Sequence, residues 1–145
     1  MPRFAIILAA TMVTAGAAHA QQAPYTATVD TATYQPLTSG TAATFSPIGS
    51  LPAGIEGVAT ISLPFTFNFF GENYDTLYAF TNGVVAFAPL QRSVSTVRQP
   101  GAVPQANDIL DAYIAPFWTG LEQGSGTLRH QTVGPPGLRE FTVEY

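Results

Sequence analysis

Few side chains in this 145-residue sequence could do chemistry, and there is no cysteine among them. His130 and His19 are the only histidines, so a Ser-His-Asp relay would have to be built on His130. No Gly-x-Ser-x-Gly elbow accompanies it, and Gly124-Ser125-Gly126 reads as a turn. His130 alternates with Leu128 and Thr132 and is expected at or near the surface of a strand. Asn107, Asp108 and Asp111 offer loop oxygens of the kind calcium takes, although their spacing matches no EF-hand loop and the same side chains could simply fix a turn. Glu122, Glu140 and Glu144 are the candidate acids. Paired carboxylates for glycoside hydrolysis stand about 5–9.5 Å apart, whereas i and i+4 on a strand are about 13 Å apart; the glutamates are expected on a solvated face. Tyr74, Tyr113 and Trp118, with Phe117 and Tyr78, could stack on sugar rings, but in a chain this poor in charge they are expected to form the core between two sheets.

The elements that must position these residues begin after residue 20. Arg3, an apolar stretch from Phe4 to about Ala17, and Ala18-His19-Ala20 have the order of a secretory signal peptide, with cleavage expected near Ala20. The apolar stretch is short for a bilayer span and is broken by threonine and glycine. Removing residues 1–20 leaves 125 residues with four Arg, no Lys, four Asp and five Glu, a net charge of −5. An acidic chain without cysteine is a poor candidate for nucleic-acid binding, a zinc finger, a thiol enzyme or a disulfide scaffold. The expected location is secreted, periplasmic or cell surface, with no transmembrane span after cleavage. The absence of cysteine and of Asn-x-Ser/Thr sequons suits a bacterial envelope.

Residues 21–57 are rich in Ala, Thr, Ser, Pro and Gly, with one large apolar residue every few positions, and predict short edge strands. The main part of the domain is expected over 58–145. Val58 to Leu63 alternates and ends at Pro64. Phe65, Phe67 and Phe69 then share one face, with Thr66 and Asn68 on the other, a period of two that a helix would scatter. Gly71-Glu72-Asn73 predicts a turn. Asn82-Gly83 predicts a two-residue type I′ hairpin with Phe80 opposite Val85 and Tyr78 opposite Phe87. Pro89 to Asp111 reads as a long connection, Ala112 to Trp118 as a strand interrupted at Pro116, and Thr127–Val133 with Leu138–Tyr145 as a hairpin around Gly134-Pro135-Pro136-Gly137. The fold class is therefore all-β, an antiparallel two-layer β-sandwich. Because the alternation runs unbroken to Tyr145, the domain is expected to be truncated at its C-terminus.

Tyr34-x-Pro-Leu37 with Gly40-Thr41, Pro64 to Gly71 with Tyr74, Thr81-Asn82-Gly83, Ile114 to Trp118 and Arg139-x-Phe141-x-Val143-Glu144 together resemble a recurrent bacterial secreted β-domain. More loosely, the middle part is similar to the extracellular NIDO domain of nidogen-type matrix proteins. The resemblance implies placement on secreted or surface-displayed proteins, with no catalytic role to carry over. Thr119-Gly120-Leu121-Glu122 stands where the pattern has an acidic pair, so a cation site relying on those acids is in doubt. The expected function is that of an exported, non-enzymatic module for cell-surface architecture, adhesion or matrix contact, with an extracellular protein or glycan as partner. The other reading is a carbohydrate-binding or accessory domain of a larger secreted hydrolase. No cofactor is expected, calcium excepted.

Overall fold

The computed structural model describes residues 5–9, 33–89 and 112–145, apart from 117, 122 and 125. These hold nine strands: β1 (Ala5–Ala9), β2 (Thr41–Ala42), β3 (Ser46–Pro47), β4 (Gly57–Phe69), β5 (Glu72–Phe80), β6 (Val85–Ala86), β7 (Tyr113–Ile114), β8 (Arg129–Val133) and β9 (Glu140–Glu144). One sheet has the order β1-β9-β8-β2 and the other β3-β4-β5-β6-β7, and every pairing is antiparallel. The fold is the expected antiparallel β-sandwich. Its main core is drawn from both layers: Ala59, Ile61, Leu63, Phe67, Leu77, Ala79, Val85 and Phe87 from one, and Leu128, Phe141 and Val143 from the other.

In β4 the alternation becomes burial. Ala59, Ile61, Leu63 and Phe67 are buried while Thr60, Ser62, Pro64, Thr66 and Asn68 are exposed, so each inward side chain leaves water while its neighbour stays wet. Pro64 does not end the strand as expected. The β4–β5 ladder runs from Val58↔Phe80 to Ser62↔Thr76 and resumes at Phe67↔Tyr74, leaving Pro64, which has no N–H to donate, inside an irregularity where no ladder bond is asked of it. Its carbonyl is taken by Arg139, whose Nη1 donates at 2.6 Å.

The two hairpin turns exchange the roles expected of them. At the β4–β5 tip, Phe69 pairs with Glu72 across Phe70 and Gly71, and both central residues have positive φ, 52° and 88°. That is the two-residue type I′ geometry. At the β5–β6 tip, Asn82 is not among the positive-φ residues; Gly83 alone is, at 81°. Gly83 N–H donates to the Phe80 carbonyl at 3.1 Å, and Phe80 N–H to the Val84 carbonyl at 2.9 Å. This is a three-residue loop of Thr81, Asn82 and Gly83, a turn closed by a left-handed glycine. The extra loop residue slips the register by one, so Tyr78 faces Ala86 and Ala79 faces Val85. A slip of one exchanges faces. Phe80 and Ala86 thereby join Ile48 and Val84 in a second, smaller cluster on the outside of the five-stranded sheet, with Tyr78, Tyr113, Ala115 and Trp118 packed over it.

The segment before β4 behaves as short edge strands over its described part. β2 adds to β8, with Thr41 opposite His130, and β3 adds to β4, with Ser46 opposite Val58, so the chain passes from one layer to the other between residues 42 and 46. The Gly-Pro-Pro-Gly hairpin has the expected strands, from Arg129↔Glu144 to Val133↔Glu140. Residues 5–9, read above as part of the leader, pair with β9 from Ala5↔Glu144 to Ala9↔Glu140. An apolar extended segment satisfies the N–H and C=O groups that the edge of β9 would otherwise leave to water. No helix of the described residues is long and apolar enough to cross a membrane.

Candidate functional site

The three candidate aromatics do not form one platform. Tyr74 packs against the main core, its ring 5.6 Å from that of Phe87. Tyr113 and Trp118 meet edge to face at 5.8 Å over the outer cluster, not between the sheets as expected; the register slip at Thr81-Asn82-Gly83 is what creates an outer apolar surface for them to cover. Asn107, Asp108 and Asp111, the calcium candidates, lie outside the described residues, as do Glu122 and Phe117. Among the described residues no three of His, Asp or Glu gather as a metal cluster.

The other candidate polar groups are engaged in holding the fold. His130 is half-buried and stacks on Phe141 with ring centroids 5.5 Å apart and an interplanar angle of 25°; burial pushes its imidazole below the usual value. Glu144 Oε1 accepts the Tyr34 hydroxyl at 2.5 Å, and its Oε2 accepts Leu37 N–H at 2.6 Å. Two motifs that lie 107 residues apart in sequence thus grip each other, tying the segment before β2 to the last strand. Tyr145 donates its hydroxyl to the Val84 carbonyl at 3.0 Å, and burial raises its phenol above the usual value.

The arrangement that spacing did not reveal lies at one end of the five-stranded sheet, where the loop before β4 meets the β5–β6 turn. Ile48, Ile55, Glu56, Gly57, Phe80, Thr81 and Asn82 line a shallow cavity there of about 160 Å³, open mouth included. The elements that build it are locally specified. Ile55 and Glu56 N–H groups both donate to the Pro52 carbonyl, at 2.9 and 3.0 Å, winding Pro52-Ala53-Gly54 into a turn, and Ile48 N–H donates to the Glu56 carbonyl at 2.9 Å. Gly57 must be glycine, because a Cβ there would stand 2.2 Å from the Ala53 carbonyl oxygen. Thr81 then carries the β4–β5 ladder one step past its last pair: its N–H donates to the Gly57 carbonyl at 3.1 Å, and its Oγ1 accepts Gly57 N–H at 3.1 Å. The Asn82 carbonyl accepts Thr119 N–H at 3.2 Å, which ties the segment carrying Trp118 to the same turn.

Glu56 is the unusual member. It is 3% exposed, and both carboxylate oxygens are buried without a hydrogen-bond partner among the described residues. Asn82, also 3% exposed, lies on the same cavity wall. The sequence did hold a signal: Glu56 sits between Gly54-Ile55 and Gly57-Val58, a lone carboxylate at the mouth of an apolar strand in a chain with nine acidic residues in all. A second missed residue is Phe70, 50% exposed at the tip of the type I′ turn, with its ring edge on Phe69 at 4.6 Å.

Residues 24–145 match the family described as NIDO related. No curated protein and no solved structure matches the chain.

Proposed function

The chain belongs to the NIDO-related family, and from that membership we propose an exported, non-enzymatic β-sandwich module that serves in cell-surface architecture, adhesion or matrix contact. The leader-like residues 1–20 support export, and the family supports an extracellular setting. The observation that carries the non-enzymatic reading is how the motif side chains are used. Tyr34 and Leu37 hold Glu144, Arg139 holds the Pro64 carbonyl, and Thr81 holds Gly57. Each donates to or accepts from main chain or a structural partner, so these motifs specify a scaffold. Contact then falls to what the scaffold displays, and the Phe70 tip, a large aromatic held out at the end of the long β4–β5 hairpin, is the surface best placed for it.

The test is to express the whole chain with its native first 20 residues in a bacterial host, fractionate the cells, and weigh the product. Export predicts a product in the periplasm or medium lighter by those residues, and full-length chain confined to the cytoplasm would reject it. Surfaces coated with matrix proteins and glycans should retain the exported product, with retention reduced in Phe70→Asn. Turnover on a panel of glycoside and ester substrates that disappears in His130→Ala or Glu140→Ala would overturn the non-enzymatic reading.

A further inference from the structure

We propose that the edge of β9 is a docking site for an extended segment of another polypeptide, which adds a strand to the sheet where residues 5–9 lie in the chain that still carries its leader. The inference rests on the export reading for the way the edge is vacated in the cell: cleavage near Ala20 would remove β1 and turn β9 from an inner strand into an outer one. β9 has β8 on one side and β1 on the other, and the β1 pairing runs through five consecutive residues, from Ala5↔Glu144 to Ala9↔Glu140, without a register shift. The edge is therefore regular enough to template a strand along its whole length. It carries none of the devices that blunt an exposed edge, since Glu140-Phe141-Thr142-Val143-Glu144 has no proline and no bulge. Strand addition of this kind draws its affinity from main-chain hydrogen bonds and its specificity from alternate side chains.

The chemistry of the occupant follows from the register. Residues directly opposite each other in an antiparallel pair share a face. Phe141 and Val143 belong to the core and are buried, so the incoming strand needs apolar residues opposite them, the register positions that Leu8 and Ile6 hold in the chain with its leader. The other face of β9 is acidic. Glu140 is exposed, and a basic residue opposite it is favoured. Glu144 is held by the Tyr34 hydroxyl and by Leu37 N–H, which leaves the position opposite it to a small neutral residue, such as the alanine at position 5. A second copy of this chain fits poorly. Two β9 strands paired about Thr142, the register that keeps all five pairs and one buried face, set Glu140 against Glu144 at both ends, and like charges directly opposite destabilise a pair. The fitting partner is thus a five-residue stretch that reads, antiparallel to β9, small, apolar, polar, apolar, basic.

The probe is a fluorescent peptide carrying Ala-Ile-Thr-Leu-Lys between serines, titrated by anisotropy. It is offered to the exported product lacking residues 1–20, to the full chain, and to a full chain with Ile6→Pro and Ile7→Pro. Of two consecutive residues in an antiparallel strand one donates to its partner, so the two prolines release β1 without cleavage. Failure of export is then read in the fractionation, and failure of the docking site in the titration. The expected result is saturable binding to both opened forms and at least about tenfold weaker binding to the full chain, whose own residues 5–9 compete at high effective concentration. Serine in place of the peptide's two apolar residues should abolish binding, and glutamate in place of its lysine should weaken it about threefold. Glu140→Lys should reverse that last preference, a readout that a peptide bound elsewhere would not give. No saturable binding at millimolar peptide, equal binding to opened and full chains, or an unchanged preference in Glu140→Lys would each overturn the site. A dimeric exported product that refuses the peptide would assign the edge to a second copy and reject the proposal. An opened form that unfolds would make residues 5–9 an integral strand, which also overturns it.

Discussion

Thr81→Val tests whether a side chain really extends the β4–β5 ladder. Valine has almost the shape of threonine, and Thr81 is 7% exposed, so the exchange costs little in packing. What it removes is Oγ1, the acceptor of Gly57 N–H at 3.1 Å in a buried setting. A Cβ added at Gly57 would stand 2.2 Å from the Ala53 carbonyl oxygen and 3.1 Å from the Phe45 side chain, so the chain is closely packed there. A buried donor left without a partner costs about 1–3 kcal/mol, a large share of the roughly 5–15 kcal/mol that holds a domain of this kind together. For a chain of this length each kcal/mol is worth about 3–6 °C in Tm, so Thr81→Val should melt several degrees lower and show a lower urea midpoint at unchanged slope. Thr81→Ser keeps the acceptor and loses one methyl group, worth about 0.8 kcal/mol. Amide exchange gives the site-specific readout: Gly57 N–H should lose protection in the valine variant and keep it in the serine variant. The reasoning is refuted if Thr81→Val is within about 0.5 kcal/mol of the parent, or if the serine variant is as damaged as the valine one.

Three further outcomes are expected. Phe70→Asn trades an aromatic at φ 52° for a residue that tolerates the left-handed region, at the cost of the edge contact with Phe69. The two effects are each about 1 kcal/mol, so the variant should stay within about 1 kcal/mol of the parent in urea unfolding, and a loss well beyond that would show that Phe70 is not strained. His130 has a folded-state pKa below its unfolded value. The unfolded chain therefore binds more protons between the two values, so stability is full above the unfolded pKa near 6.5 and falls as pH drops through the window below it. His130→Gln should remove that slope, which urea titrations across pH 5–8 would detect. For the Tyr34–Glu144 contact, a double-mutant cycle of Tyr34→Phe with Glu144→Gln should return a coupling of about 0.5–1 kcal/mol, small because the pair is exposed; a coupling of zero would make the contact incidental.

Much of the architecture was legible in residue order because one-sided burial writes itself as alternation. Residues 58–69 and 138–145 carry it openly, and the structure buries the side chains that alternation selects. The β5–β6 turn was read wrongly for a physical reason. Asn-Gly satisfies a two-residue type I′ loop and a three-residue loop equally well, and the choice between them is made by tertiary contacts: the Thr81–Gly57 bonds and the burial of Asn82. A bulky phenylalanine in the left-handed region goes against local preference, so Phe70-Gly71 gave no sign of the type I′ turn it makes; tertiary pairing of β4 and β5 imposes it. Tyr113 and Trp118 are expected between the sheets but cover the outer cluster, because the face they meet depends on the slip of one residue at Thr81-Asn82-Gly83. Glu56 was passed over because a lone carboxylate carries no spacing, and only the closure of two loops around it makes its isolation visible.

The pairing of β1 with β9 sets a race. If residues 1–20 direct export, a chain that folds before it leaves the cytoplasm draws residues 5–9 into its own sheet and takes out of reach the segment that export machinery must grasp. Non-local β pairing is slow to form, because the ends of a long loop must first be brought together, and the β1–β9 contact joins residues 131 to 139 positions apart in sequence. If residues 1–20 do direct export, its lateness would leave them accessible for longest, and the order in which the sandwich closes would favour translocation over premature folding.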